Sequence, residues 1–125
     1  VVDINLWWLR IGADFVGGQE SYCVPNLQAS ELALYPYGSS FQSTSEWFNL
    51  GRKYGHMVAS TRPLTNTTGS RFVSPPIEGD TEYRSYVRTE MNVNGTTVVV
   101  YKTHLALSLS RITAMIAELA AMATS

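Results

Sequence analysis

Charge is scarce in this sequence. Only 15% of its 125 residues are charged, against the usual quarter, and Lys53 and Lys102 are the only lysines. The net charge of −1 supplies no global basic field to draw the chain to nucleic acid or to an anionic membrane. A local basic patch stays open. Cys23 is the single cysteine, so no disulfide closes within the chain. No apolar run approaches the ~18 residues that a membrane-spanning helix needs. Paired-cysteine zinc patterns, a Gly-rich phosphate loop and a nucleophile elbow are all missing, and Gly17-Gly18 is too short for a dinucleotide fingerprint. Internal repeats, heptads and low-complexity tracts are missing too.

Apolar residues make up 45% of the chain, a globular fraction, and the length suits one domain, residues 1–125, with a core of its own. Two N-x-T sequons, at Asn66 and Asn94, join the low charge and abundant Ser/Thr in pointing to an extracellular or secreted glycoprotein. Chance occurrence is the competing explanation, and Asn94-Gly95 has a second role as a turn. The chain opens on Val1, not Met, which points to a processed product or a piece of a longer polypeptide.

Periodicity divides the chain. Ile4, Trp7, Trp8 and Ile11 share one helix face over residues 1–12, with Gly12 as a C-cap. Residues 13–19 form a buried strand that delivers Glu20 at its end, and Gly17-Gly18 within it lets another element or a ligand come close. Residues 21–25 form a loop and 26–34 a short helix capped by Asn26. Residues 37–48 are extended, 49–52 turn, and 54–60 form a strand that Pro63 ends. Thr, Asn, Gly, Ser and Pro mark 65–79 as a long loop.

Residues 82–93 alternate, with Tyr83, Ser85, Val87, Thr89, Met91 and Val93 on one face. Asn94-Gly95 is a strong hairpin signal, and 96–105 returns antiparallel. Residues 107–124 form an amphipathic helix capped by Ser108 or Ser110, with Ile112, Ile116, Leu119 and Ala123 on its apolar face, widened by Met115 and Met122. The fold class that follows is α/β, a mostly antiparallel single sheet with flanking helices.

Few residues offer chemistry. Glu20 at a strand end suits a hard cation such as Mg²⁺, which takes oxygen ligands; a solvated loop glutamate is the plain alternative. His104 follows an apolar strand and suits proton donation or contact with a phosphate oxygen; a packed structural histidine is its alternative. His56 reads as structural. Arg84 and Arg88 share a strand face and suit phosphate, or else pair with Glu82 and Glu90.

Several segments resemble the endonuclease/exonuclease/phosphatase superfamily, which includes deoxyribonucleases and neutral sphingomyelinases. Ala13-Asp14-Phe15-Val16-Gly17-Gly18-Gln19-Glu20 is similar to its Asp-…-Gln-Glu strand. Tyr54-Gly55-His56-Met57-Val58-Ala59-Ser60-Thr61-Arg62-Pro63-Leu64 is similar to its Tyr-Gly-Asn-…-Ser-Arg-x-Pro segment. Residues 84–105 resemble its hairpin closing on Thr-His-Leu, and Arg111 with its helix resembles Arg-x-x-Gln.

The resemblance implies half of a four-layered α/β sandwich and a metal-dependent phosphodiester hydrolase using Mg²⁺ or Mn²⁺. Glu20 would be the metal ligand and a catalytic residue, His104 the catalytic histidine near the scissile phosphate, and the substrate a nucleic-acid, lipid or small-molecule phosphodiester. The sequence also departs from the pattern. His56, Thr61 and Ala114 replace the motif Asn, Arg and Gln. The Asn-bearing first strand, the Gly-Asp-x-Asn strand and the late Asp-His segment have no counterpart. Two expectations follow. One is a hydrolase domain fragment whose activity needs a second half-domain. The other is a catalytically inactive structural or binding module that assembles with other chains, such as a homo-oligomer.

Overall fold

A computed structural model describes residues 10–22, 35–43, 54–79 and 81–124, and the side chains of all of these except 19–22, 39–43 and 54. The described chain holds six strands and one helix: β1 (Phe15–Tyr22), β2 (Tyr37–Ser43), β3 (Tyr54–Ser60), β4 (Leu64–Arg71), β5 (Ser85–Val93), β6 (Thr96–Thr103) and α1 (Leu109–Ala123). The predicted 26–34 helix lies outside the described residues, as do most of the predicted 1–12 helix and the tail of the 37–48 strand. Arg10 and Ile11 are helical, and Gly12 stops them at φ 65. Ile11 is 60% exposed, so it does not sit on a buried face as expected.

The strands form two antiparallel three-stranded sheets, ordered β1-β3-β2 and β4-β5-β6. This corrects the single sheet expected from sequence. The break falls at residues 61–63, where Pro63 follows β3. Asp14 ties down that corner: its carbonyl accepts from Thr61 N at 2.9 Å and from Ser60 Oγ at 3.0 Å, and its carboxylate accepts from Thr61 Oγ1 at 3.0 Å.

The expected 65–79 loop is also corrected. Leu64–Arg71 is a strand, paired with β5 from Leu64↔Met91 to Arg71↔Ser85 and interrupted between Thr65 and Thr68. The polar composition that argued for a loop belongs to a mostly exposed edge strand, in which Asn66 takes φ 49 at the interruption. Threonine's branched side chain suits a strand.

β5 alternates as expected, with Ser85, Val87, Thr89 and Met91 buried. Asn94 (φ 53) and Gly95 (φ 87) make a two-residue turn into β6 with both central φ values positive, the hairpin geometry that fits strand twist. Asn92 Oδ1 accepts from Gly95 N at 2.9 Å and steadies it.

Ser108 caps α1, its hydroxyl accepting from Arg111 N. The helix lies over the outer face of the second sheet. Met115 packs with Phe72 and Ala106, flanked by Tyr86, Leu105, Ile112 and Leu119. Ile116, expected on the buried face, is 51% exposed. The buried ridge runs through Arg111 and Met115 instead, because Arg111 is drawn in by a bond from its Nη2 to Glu82 O at 3.0 Å. Among the described residues no helix is long and apolar enough to cross a membrane.

Candidate functional site: a basic cluster between the sheets

The two sheets meet through their second faces. Strand alternation turns His56, Val58 and Ser60 of β3 to the same side, and all three are buried. Opposite them lie Ser85, Val87 and Thr89 of β5 and, from the register Val87↔Lys102, Lys102 of β6.

His56 is the hub. Its Nε2 lies 2.9 Å from Ser85 O, a carbonyl that only accepts, so Nε2 carries the proton. Nδ1 is then the acceptor, and Lys102 Nζ donates to it at 2.6 Å. Ser85 O takes a second bond from Thr103 Oγ1 at 2.8 Å. Burial, and then the charge of Lys102, push the His56 pKa down to about 4; His104 and Arg84 push in the same direction. Burial likewise lowers Lys102 to about 8. At neutral pH the hub is a neutral imidazole held by an ammonium.

Gly17 makes room for this contact. A Cβ built on Gly17 would stand 2.8 Å from Lys102 Cγ, far inside van der Waals distance. The close approach expected at Gly17-Gly18 is real, and what approaches is the lysine stem.

Glu20 reaches the same place along the backbone. β1 pairs Gly18↔Met57 and Ser21↔Gly55. In the backbone register Gln19 and Glu20 together stand opposite His56, a two-against-one bulge. Bulges re-aim side chains and gather beside active sites. The strand runs on to Tyr22, so Glu20 sits within β1 and not at its end, and residues 21–22 are not loop. The Glu20 side chain lies outside the described residues. His104 stands one residue beyond β6, half-buried, close enough for its charge to act on His56.

Of the two residues singled out in sequence, His104 stands near His56, which was read as structural, and Glu20 is placed there by backbone register alone. Lys102 was missed, although a lone charge in the uncharged run Thr96–Tyr101 was its signal. Arg84 joins the cluster, with Nη1 3.0 Å from Glu82 Oε2. Arg88 pairs with Glu90 at 2.6 Å, on the opposite face of β5 from Val87 and Thr89.

The described side chains here offer nitrogen and positive charge, which suit an anion. A hard divalent cation needs oxygen donors, and Glu20 is the oxygen donor the sequence points to. Among the described residues, no three His, Cys, Asp or Glu side chains group to hold a metal. The described residues alone do not fit Mg²⁺ or Mn²⁺. No family model, curated protein or solved structure matches this chain.

Proposed function

We propose that this chain binds a phosphodiester and forms part of a metal-dependent phosphoesterase domain. The grouping around His56 carries this reading: Lys102 and Arg84 bring positive charge to one end of the sheet junction, His104 stands beside them, and the β1 register sets the Glu20 backbone opposite His56. Lys102 and Arg84 would draw the non-bridging phosphate oxygens. His104 would stand near the scissile phosphate and assist proton transfer or steady developing charge. Glu20 would be this chain's oxygen ligand for Mg²⁺ or Mn²⁺, and the remaining ligands would have to come from a second half-domain.

A site of this kind needs several converging groups. The Gly-Asp-x-Asn and Asp-His segments are not in this sequence, so turnover would draw them from a second half-domain. The two sheets and the helix over one of them support half of a four-layered α/β sandwich as the arrangement. The sequons support a secreted setting, with Asn94 exposed at its turn and Asn66 Nδ2 donating to Glu90 Oε2 at 2.7 Å.

The test is a titration with diethyl phosphate, followed by NMR of the His56 and His104 ring protons. Both rings shift in the native chain, and Lys102→Met removes most of the response. Rings that stay unmoved by the diester would sink the reading. The Glu20 role has its own check, Mg²⁺-stimulated hydrolysis of bis-p-nitrophenyl phosphate; equal rates with Glu20→Ala end it.

One observation favours the inactive module. The Ser85–His56–Lys102 chain of bonds itself joins the two sheets, with both ring nitrogens of His56 engaged by the protein. In that case Lys102→Met lowers stability and the diester moves neither ring.

A further inference from the structure

The second sheet treats its two edges differently. On the β4 edge the register breaks between Thr65 and Thr68, Asn66 turns to φ 49, and Arg71 closes the strand. A bulge and a charge are the usual guards against strand addition. The β6 edge has neither over its first half. Its register with β5 runs from Val93↔Thr96 to Tyr86↔Thr103 without a shift. Thr96, Thr97, Val98 and Val99 are all exposed, on both faces of the strand. The run Thr96-Thr97-Val98-Val99-Val100 is wholly β-branched and holds no charge, Pro or Gly. Among the described residues, β5 is its only strand partner.

We propose that the free edge of β6 is a homodimer interface, at which β6 of a second copy adds antiparallel about Val98. An unguarded edge offers a row of outward N–H and C=O groups, and only an extended strand satisfies such a row. A second copy supplies that strand, and the segment is its own complement. In a twofold pairing about Val98, Val98 meets Val98, Thr97 meets Val99 and Thr96 meets Val100. All of these pairs are between β-branched residues, which suit a pleated sheet surface. Lys102 falls opposite Asn94 and not opposite itself, so no like charges face each other. A twofold arrangement also closes, using both β6 edges at once, and the edges left at β4 are the guarded ones. This inference is independent of the phosphoesterase reading.

Sedimentation velocity over a concentration series tests it. The native chain passes from monomer to dimer as concentration rises. Val98→Lys sets like charges face to face and weakens the dimer by at least about tenfold, with the far-UV circular dichroism unchanged. A second variant does not depend on that substitution folding: Val98→Cys in a Cys23→Ser background. Directly opposed residues on antiparallel strands lie within disulfide reach, so oxidation cross-links it to a dimer, whereas Ile116→Cys in the same background stays monomeric. A native chain that stays monomeric throughout, with no Val98→Cys cross-link, overturns the proposal. So does a dimer that Val98→Lys leaves intact and Ile116→Lys dissolves.

Discussion

The two faces of the second sheet are built on different physics. On the outer face Phe72, Tyr86, Ala106 and Met115 pack α1 against the strands, with the Phe72 and Tyr86 rings tilted at 5.3 Å between centroids. That contact is apolar burial, indifferent to pH and to the identity of any partner. On the inner face a neutral histidine of the first sheet is held by a serine carbonyl and an ammonium of the second, and a threonine hydroxyl shares that carbonyl. Polar contacts of this sort are directional and pH-dependent, and leaving one unmade is costly. The outer face fixes the fold; the inner face is where chemistry is available.

The largest effect belongs to the outer face. Met115 is 0% exposed at the centre of its cluster. Met115→Ala opens a cavity under the helix and costs about 2–5 kcal/mol of unfolding free energy, read from urea unfolding. That loss is the same at pH 5 and pH 8, which is what distinguishes the face. A strongly pH-dependent loss would break the comparison.

The inner face answers to pH. The His56 pKa is depressed in the folded chain from 6.5 to about 4, so the unfolded chain binds the extra proton. Its contribution is fully present above pH 6.5 and is lost as pH falls toward 4, at most about 3 kcal/mol. Lys102, depressed from 10.5 to about 8, has the same sign in a higher window, so stability rises as pH goes from 8 to 10.5. Unfolding midpoints across both windows check this. Lys102→Met removes the upper rise and lifts the His56 pKa, since the ammonium is one of the charges holding it down. An NMR titration in which the His56 pKa stays put in that variant would show that the two side chains do not meet.

Gly17 tests the same face sterically. Gly17→Ala places a methyl where the Lys102 stem passes, at a cost of about 1–3 kcal/mol. Repeating the change in a Lys102→Ala background makes it nearly harmless. Additive costs in this double-mutant cycle would mean the glycine is there for some other neighbour.

The outer face was easier to read in the sequence than the inner one. The β5–β6 hairpin announced itself through period-2 alternation and Asn94-Gly95, and α1 through its apolar spacing, because both signals are local. The split into two sheets was not legible, since β4 is an edge strand whose threonines and asparagine look like loop, and nothing local says that its carbonyls pair with β5. Glu20, read as a strand-end group, lies two residues inside the end of β1, whereas His104 was legible as one. His56 as the hub was not, because its importance comes from Lys102, 46 positions away. The bulge that sets Gln19 and Glu20 against His56 in the backbone register exists only as a mismatch between β1 and β3. Non-local pairings of this kind leave no periodicity to find.

The smallest effect sharpens the comparison from the helix itself. Apolar spacing put Ile116 on the buried face of α1, one position from Met115. The structure turns it outward, with the buried ridge set by Arg111 and Met115. Ile116→Ala therefore removes little packed surface, while alanine is the better helix former by a few tenths of a kcal/mol. The net change stays within about 0.5 kcal/mol and leans toward stabilisation. Dilute samples, where any self-association is absent, keep the readout to the single chain. A loss approaching that of Met115→Ala would mean that α1 sits rotated by about one residue, with Arg111 released from Glu82 O. The sheet's outer face would then be closed by a different set of side chains.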